Sequence, residues 1–590
     1  MNPPPTQPAR IAETGAPPSA EPARYRVLLL SIVLLAFLLR VWGFSRLGLA
    51  HYDEGVYTLS GFWSLGGTQQ GLLYPWQKFF SPPGYFLLVG VVFRLLGRAS
   101  DLAAIAINIF FGTATVWLTA WMGRRWFGAA AGLFSAGLVA LSQFQIAFSR
   151  TALTDTSFGF FFLLALALAA MAIETGRPWH AAFAGLAIGA AWNIKYHGWL
   201  LIPLASAVLA FEAIRLRGET AKLRRLLLGC IVLVLIAAAC FLPWVVYCNR
   251  SLGGYLTIEK FHTRYLDFHW LHNLVQQAGM QLFFAGWLSR LAPAAGFLVV
   301  LAFLPKLRIA RFTVITAVFL ILLALGASTG ELGACLALAL LGARNLWNSD
   351  QPFGRLLLIA LAAFFILIPC YTPYARLVLP FSLLAAVAAG PGIAAGLSFL
   401  NPQNQGGQAV DRSATKARAL LALGSLATAA ALWTIRPAEP WLWPPRGGGR
   451  EAVSKMAELA PKSSVIFVDT APEVAFYFQQ AGFTTFCTNS LAYMGEQPNP
   501  FTYQTAAPVF IVAGYYGRQQ GDWEPTLRQA AARFQLVSRA AFEPSEIRLL
   551  DDFPAREAAA NRPQLEGQYD LYLYRFLPEA QPAANLGTRP

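Results

Sequence analysis

Long apolar runs recur along the chain between residues 27 and 435, and they limit its possible folds more than any other feature. A helix needs about 17–25 apolar residues to cross a bilayer, because each residue adds about 1.5 Å. Only 13% of the residues are charged, whereas soluble domains carry about 25%. The sequence therefore predicts a polytopic α-helical membrane protein with about thirteen spans. The predicted spans are 27–44, 102–122, 128–148, 155–173, 179–195, 197–213, 225–247, 281–304, 312–327, 329–346, 355–371, 374–397 and 418–435.

The basic residues form short clusters between these runs, and they predict the orientation of the chain. Lys and Arg are enriched in cytoplasmic loops. All the clusters fall on the cytoplasmic side if the N-terminus is cytoplasmic and the apolar run 83–97 does not cross. That run carries Arg94 and is followed by Arg98, so we predict a juxtamembrane helix in the outer loop 45–100. The clusters lie at 24–26, 124–125, 215–225, 306–311, 344–355 and 412–418.

The net charge of +15 does not predict a nucleic-acid partner. Basic clusters that alternate with apolar runs are typical of loops in contact with anionic lipid. Residues 1–26 are rich in Pro and Ala, and they predict a disordered cytoplasmic tail before a membrane domain at 27–435.

Residues 436–590 differ in character from the membrane domain. They begin with a Pro- and Gly-rich stretch typical of a linker. Apolar, β-branched runs at 464–469, 509–513 and 570–576 then alternate with stretches of helical pattern. This alternation predicts a small α/β domain, which the charge pattern assigns to the extracytoplasmic side.

Acidic side chains lie at the predicted outer ends of the spans, where ionisable groups are costly and are functional candidates. Asp53 and Glu54 lie in the first outer loop, and Asp155 lies in a later outer turn after Arg150. A carboxylate at this position can act as a general base and take the proton of an attacking hydroxyl. The alternatives are a solvated loop acid for Asp53 and a helix cap for Asp155.

Basic residues on the same predicted face are candidates for binding an anionic head group. Lys78, Lys195 and Arg376 can form charge-assisted hydrogen bonds to phosphate. Their alternative role is to extend along apolar surface toward the interface. Tyr371 and Tyr374 precede Arg376 in a proline-broken entry into a span, and they are candidate binding residues with it.

The outer loops also contain histidines that are candidate metal ligands, and a divalent metal is therefore left open. These are His51, His269 and His272, the last two separated by three positions. No dense cluster of His and Asp surrounds them, as zinc sites usually require. The aromatic residues around them are equally consistent with an interfacial belt or a sugar-stacking surface.

Taken together, these motifs resemble those of the GT-C superfamily, over roughly residues 25–400. Within that superfamily they resemble the glycosyltransferase family 39 or protein-mannosyltransferase-like group, which includes protein O-mannosyltransferases and bacterial aminoarabinose transferases acting on lipid A. The resemblance implies that the membrane domain at 27–435 is GT-C-like. The matching elements are Asp53-Glu54, Pro82-Pro83, Ser149-Arg150 with Asp155, Lys195-Tyr196-His197-Gly198 and, imperfectly, Arg376 to Pro380. Ser81 and Leu377 depart from the pattern, and Lys78 is predicted to replace the base that the group often has before Pro-Pro.

This resemblance implies an inverting glycosyltransferase in a bacterial inner membrane. The donor would be a polyprenyl-phosphate sugar, and the acceptor a hydroxyl or phosphate on a lipid, protein or glycan. Asp53 would be the base, with Glu54 and Asp155 as further catalytic acids. Several members of the group act without metal, whereas related oligosaccharyltransferases need a divalent ion, so the metal requirement stays open. The alternatives are a transporter or flippase for a lipid-linked glycan and a non-catalytic GT-C scaffold.

Overall fold

The structure, a computed structural model, describes most of the chain. The described residues are 21–64, 81–215, 219–281, 284, parts of 331–347, 351–400, 448–488, 500–501, 503–519, 533–554, 557 and 567–577. Lys78 and the predicted spans 281–304, 312–327 and 418–435 lie outside them, apart from residues 281 and 284, as does most of the predicted tail 1–26. The predicted span 329–346 is described only in part.

The membrane part is helical, and seven helical segments of the described residues are long and apolar enough to cross a membrane. The number is eight if the bent pair α5 and α6 counts as one span. The prediction of a polytopic helical membrane protein is therefore confirmed, while the count of thirteen spans stays a prediction. The α-helices are α1 (Glu21–Val41), α2 (Tyr52–Ser64), α3 (Gly84–Leu96), α4 (Asp101–Phe127), α5 (Ala129–Leu141), α6 (Gln143–Ser149), α7 (Asp155–Thr175), α8 (Pro178–Ile194), α9 (Leu201–Arg215), α10 (Thr220–Ser251), α11 (Tyr255–Thr263), α12 (Trp270–Gln281), α13 (Pro352–Leu367) and α14 (Leu379–Leu400).

Helices α3 and α8 are short compared with the length that a bilayer requires. Helix α3, which covers the ambiguous run 83–97, has 13 residues and is too short to cross. Helix α8 has 17 residues, at the lower limit of spanning length. Short 3₁₀ helices at Phe44–Arg46, Tyr196–Leu200, Ile368–Cys370 and Ala375–Val378 connect several of the helices.

Small residues let α14 pack closely against α5 at the centre of the bundle. A Cβ added to Gly390 would lie 2.1 Å from the Ser135 Oγ and 2.5 Å from the Ala131 carbonyl oxygen. The Ser135 hydroxyl donates a hydrogen bond to the Val387 carbonyl at 3.1 Å. Close approach through small residues and an interhelical hydrogen bond is the usual way that helices associate in a bilayer.

A buried arginine stabilises the 60° bend between α5 and α6. Arg40 of α1 is fully buried. It donates hydrogen bonds to the carbonyls of Val139 and Ala140, at 3.3 and 3.4 Å, and to the Ser149 Oγ at 3.1 Å. The last carbonyls of a helix have no partner within the helix, so Arg40 satisfies acceptors that the bend would otherwise leave unpaired.

The C-terminal part of the chain is a five-stranded mixed sheet with helices, here called the α/β domain. The strand order is β2-β1-β3-β5-β4, with β1, β2 and β3 parallel and the other neighbouring pairs antiparallel. The strands are β1 (Val465–Asp469), β2 (Thr484–Thr488), β3 (Val509–Ala513), β4 (Phe534–Ala540) and β5 (Leu571–Phe576). The helices are α15 (Gly449–Ala457), α16 (Pro472–Gln480), α17 (Tyr515–Gln519) and α18 (Glu546–Asp552).

The α/β domain is fixed to the chain that follows α1 by a buried polar cluster. The Tyr477 hydroxyl donates to Asp101 at 2.6 Å and accepts the Leu49 amide hydrogen at 2.7 Å. Arg450 also donates to Asp101, at 3.0 Å from its Nε. Helix α16 approaches α2 so closely that a Cβ on Gly55 would lie 2.1 Å from the Glu473 amide nitrogen.

This contact constrains the membrane topology. The α/β domain touches the segment directly after α1, so both lie on one side of the membrane. The chain must therefore cross the membrane an even number of times between α1 and residue 448. When α1 is counted as one further crossing, the total number of spans is odd, as it is in the predicted set of thirteen.

Candidate active site

A cleft of about 960 Å³ lies between the membrane helices and the α/β domain. Its walls come from the start of α2, the end of α8, the 259–266 segment, the 364–380 segment and the α/β domain. The predicted residues Asp53, Lys195, Tyr371, Tyr374 and Arg376 all line it. Residues more than 300 positions apart are thus brought to one site.

Arg376 lies between two carboxylates in this cleft. Its Nη1 donates to Asp53, and its Nη2 lies 3.3 Å from the Asp551 Oδ2. Burial alone would raise the pKa of Asp53, but the Arg376 charge, with that of His51, holds it below its usual value. Asp53 is therefore ionised at neutral pH, and about a quarter of its side chain is exposed to the cleft (23%).

His51 connects the same two carboxylates from the opposite side. Its Nδ1 accepts the Asp53 backbone hydrogen at 3.0 Å, and its Nε2 lies 2.9 Å from the Asp551 Oδ2. Burial disfavours the charged ring, but the hydrogen bond and charge of Asp551 raise the pKa of His51 overall. Because both ring nitrogens are occupied, His51 is not placed to bind a metal.

Lys195 reaches the cleft from the turn that ends α8. Its Nζ donates to Asp155 at the start of α7, and the Asp155 side chain is buried. Gly198 allows the following 3₁₀ helix to fold back on α8, since a Cβ there would lie 2.3 Å from the Trp192 amide nitrogen. Asp155 is not among the residues that line the cleft; it holds the lysine that does.

Tyrosines form one aromatic wall of the cleft. Tyr265 stacks on Tyr371 with ring centroids 5.8 Å apart, and the Arg376 guanidinium lies 5.4 Å from the Tyr374 ring centroid. The Thr372 amide donates to the Tyr265 carbonyl at 2.8 Å, which fixes the two segments together. Burial raises the pKa of Tyr371 to about 12, so its hydroxyl is a neutral hydrogen-bonding group.

Two further predicted site residues, Glu54 and Arg150, also lie outside the cleft lining. Glu54 is 1% exposed, and its carboxylate accepts the backbone hydrogens of Ala50 at 2.9 Å and Ala152 at 2.7 Å. It therefore ties the loop that precedes α2 to the 150–154 turn. Arg150 is buried in that turn, and within the described residues neither Nη atom has a hydrogen-bond acceptor. Lys78 is outside the described residues.

The three histidines proposed as metal ligands are not brought together. His269 is exposed and pairs with Asp267, and His272 lies exposed on α12. In the part of the chain that the structure describes, no three His, Cys, Asp or Glu side chains are arranged to hold a metal ion.

Sequence reasoning missed the contribution of the α/β domain to the cleft. Thr470, Tyr516, Asp551 and Asp552 line it from that side. Thr470 follows β1 with a φ of 52°, a strained conformation that often marks functional sites. Asp551-Asp552 is an acidic pair in a chain with few acids, and this was the only available signal.

Comparisons with solved structures place this architecture among known folds. The oligosaccharyltransferase AglB from Archaeoglobus fulgidus, in complex with an inhibitory peptide and a dolichol-phosphate, matches with a TM-score of 0.53 and 14% identity, over 84% of this chain and 70% of that one. ArnT from Cupriavidus metallidurans, bound to undecaprenyl phosphate, matches with a TM-score of 0.53 and 15% identity, over 94% of this chain and 98% of that one. The chain has the GT-C fold. The resemblance found in the sequence motifs is confirmed at that level.

Comparison of the sequence with family models gave one match. The model of the family described as dolichyl-phosphate-mannose-protein mannosyltransferase matches residues 81–246, less than a third of the chain. This stretch includes Pro82, Arg150, Asp155 and Lys195, but neither Asp53 nor Arg376. A search of curated protein sequences gave no match.

Proposed function

We propose that this chain is an inverting glycosyltransferase that moves a sugar from a polyprenyl-phosphate donor to a hydroxyl or phosphate acceptor. The observation that carries the proposal is the ionised Asp53 carboxylate, which faces a large cleft beside the cations Arg376 and Lys195. The dolichol-phosphate bound by AglB and the undecaprenyl phosphate bound by ArnT support a lipid phosphate as the leaving group.

In the proposed reaction, the acceptor oxygen attacks the anomeric carbon from the side opposite the phosphate. Asp53 takes the acceptor proton as the new bond to the sugar forms. The bond between the anomeric carbon and the phosphate oxygen breaks, and its electron pair leaves with the lipid phosphate. One displacement inverts the configuration, and no nucleotide is consumed.

Arg376 and Lys195 stabilise the negative charge that develops on the leaving phosphate. Arg376 is paired with Asp53 when no phosphate is bound, and in this state Asp53 is a weak base because its pKa is lowered. A bound phosphate competes for the guanidinium, which frees the carboxylate to accept a proton. Donor binding and base activation are thereby coupled in the proposed mechanism.

The remaining predicted residues act on the geometry of the site in this proposal. Asp155 positions Lys195, Glu54 fixes the loop that carries Asp53, and Tyr371 and Tyr374 contact the sugar. Arg150 and Lys78 remain sequence-based candidates for the donor head group. No step is assigned to a metal, because both ring nitrogens of His51 are engaged by protein groups.

The proposed location is a bacterial inner membrane, with the N-terminus in the cytoplasm and the cleft and the α/β domain on the outer side. The orientation rests on the positive-inside rule. The acceptor, whether lipid, protein or glycan, would enter the cleft from the outer side. A reporter fused between residues 98 and 101 should be accessible from outside intact cells.

The test is sugar transfer by purified protein in proteoliposomes. Polyprenyl-phosphate hexose and pentose donors labelled in the sugar are offered with membrane extract as acceptor source, to wild type, Asp53→Asn and Asp267→Asn. Asp267 is the matched control, because it is an outer-loop aspartate that pairs with His269 and does not line the cleft. We expect transfer by wild type and Asp267→Asn, and a loss of about 10²-fold or more for Asp53→Asn.

Full transfer by Asp53→Asn would overturn the base assignment. If wild type moves an intact lipid-linked sugar across the bilayer without releasing it, the chain is a transporter. If it neither transfers nor binds undecaprenyl phosphate, the GT-C fold serves here as a non-catalytic scaffold.

A further inference from the structure

We infer that Asp551 is a positioning residue of the active site, so that the α/β domain is a working part of the site and not only a cover over it. The inference rests on the proposed function and extends it to a residue that no sequence motif indicated. Its basis is the position of the Asp551 carboxylate between His51 and Arg376, the two residues that hold Asp53.

Asp53, the proposed base, is one of four residues that form a closed ring of contacts. Asp551 Oδ2 contacts the His51 Nε2 at 2.9 Å and the Arg376 Nη2 at 3.3 Å. The other sides of these two residues contact Asp53, His51 through the Asp53 amide at 3.0 Å and Arg376 through the carboxylate. Asp551 thus acts on Asp53 by two independent routes.

The first route fixes the state of the imidazole. Because His51 Nδ1 accepts the Asp53 amide hydrogen, it carries no proton, and the neutral ring must be protonated at Nε2. Asp551 accepts that Nε2 hydrogen and so selects the tautomer. In this way it maintains the hydrogen bond that sets the backbone of Asp53.

By the second route, Asp551 competes with Asp53 for the Arg376 guanidinium. The Asp551 side chain is only 6% exposed and the Arg376 side chain 17%, so their attraction is poorly screened by water. Without Asp551, the guanidinium would be free to turn fully onto Asp53 and neutralise the base. With Asp551, one edge of the guanidinium stays anchored while the other exchanges between Asp53 and a phosphate.

The Asp551 residue also belongs to the lining of the cleft. Within the described residues its buried Oδ1 has no hydrogen-bond donor. The carboxylate therefore adds a negative charge next to the phosphate site. This makes a specific prediction: removing the charge should improve binding of a lipid phosphate while it slows catalysis.

The experiment compares wild type, Asp551→Asn, Asp551→Glu and the control Asp570→Asn in detergent. Asp570 is also a buried aspartate of the α/β domain paired with an arginine, but it does not line the cleft. Two quantities are measured: the affinity for undecaprenyl phosphate by tryptophan fluorescence, and kcat for transfer from the labelled donor. Unfolding temperatures establish that each variant is folded.

For Asp551→Asn we expect kcat to fall about tenfold while undecaprenyl phosphate binds about threefold more tightly, because one negative charge has left the cleft. Asp551→Glu should restore the wild-type affinity and part of kcat. Asp570→Asn should change both by less than about twofold. A structural role alone would lower kcat without tightening phosphate binding.

The inference is overturned if Asp551→Asn keeps the wild-type kcat, or if it binds undecaprenyl phosphate with unchanged or lower affinity. The binding measurement needs no sugar, so it decides the inference even where wild type transfers none of the sugars offered, a result that counts against the proposed function instead. If wild type does not bind undecaprenyl phosphate, both proposals fail.

Discussion

Asp53 and Arg376 are 323 residues apart in the sequence and form one ion pair in the cleft. Both residues lie near the start of a helical element. Asp53 is in the first turn of α2, and Arg376 is in the 3₁₀ helix before α14. Burial alone would raise the pKa of Asp53, but the charge of the Arg376 guanidinium, with that of His51, outweighs it and holds the pKa below its usual value. The Asp53 carboxylate is thus kept ionised but paired.

The geometry of Arg376 should matter as much as its charge. Arg376→Lys keeps the charge but replaces a planar group that bridges two carboxylates with a single ammonium. We expect kcat for sugar transfer to fall about tenfold or more, since the ammonium cannot contact Asp53 and Asp551 together. Arg250→Lys, an exposed position outside the cleft, is the control. Equal rates for Arg376→Lys and wild type would show that bridging is unimportant.

Lys195 should act on the lipid phosphate rather than on the proton transfer. Lys195→Met removes a cation whose charge-assisted hydrogen bond is worth about 1.5–3 kcal/mol, so undecaprenyl phosphate should bind about tenfold or more weakly. Binding is measured by tryptophan fluorescence, and Lys260→Met, an exposed lysine outside the cleft, should bind as wild type does. An unchanged affinity in Lys195→Met would remove the phosphate role of this residue.

Much of the site could be predicted from the sequence, because its residue types are unusual where they occur. Asp53, Lys195 and Arg376 are ionisable groups at the ends of apolar runs, where a bilayer makes them costly. The positive-inside rule then places them on one face. The structure brings all three to one cleft.

The partners of these residues could not be predicted, because they depend on tertiary packing. The sequence predicts Asp155 as a catalytic candidate, with a helix cap as the alternative, but the residue pairs with Lys195 across 40 residues. Glu54 reads as half of a catalytic pair but is buried on the backbone of Ala152. Asp551 lies in a domain that carries no recognisable motif, and only the docking of that domain brings it to His51.

Docking of the α/β domain should depend on Gly55. In Gly55→Ala the new Cβ would lie 2.1 Å from the Glu473 amide nitrogen and 2.4 Å from the Pro472 carbonyl carbon, so backbone must move. We expect faster hydrogen exchange in α16 and α2, measured by mass spectrometry. The control is Gly137→Ala, where no atom lies within 4 Å of the added Cβ. Unchanged exchange in α16 would mean that the interface adapts to the methyl group.

The bend between α5 and α6 should depend on Arg40. Arg40→Met removes the donors to the Val139 and Ala140 carbonyls, and unpaired buried acceptors cost about 1–3 kcal/mol. We expect a lower unfolding temperature in detergent, followed by tryptophan fluorescence. Arg46→Met, at an exposed position in the 3₁₀ helix that follows α1, should unfold like wild type. A variant of Arg40 that is as stable as wild type would indicate that the cost of burying the guanidinium cancels its hydrogen bonds.

Glu54 should make the stability of the first outer loop depend on pH. Burial raises the pKa of Glu54 to about 7 from 4.5, although the backbone hydrogens of Ala50 and Ala152 partly oppose the shift. The folded protein therefore binds more protons than the unfolded chain between these values. The stabilisation from Glu54 is complete below about pH 4.5 and is lost as the pH rises through about 7.

The measurement is the unfolding temperature of wild type and Glu54→Gln between pH 4.5 and 8.5, with Glu451→Gln, an exposed carboxyl, as the control. The advantage of wild type over Glu54→Gln should be largest at the acid end and should shrink by at most about 3 kcal/mol toward pH 8, since each pKa unit corresponds to about 1.36 kcal/mol. Glutamine cannot ionise, so the difference isolates this one group. A constant difference across the range would mean that Glu54 is already ionised at acid pH, held so by its two backbone donors.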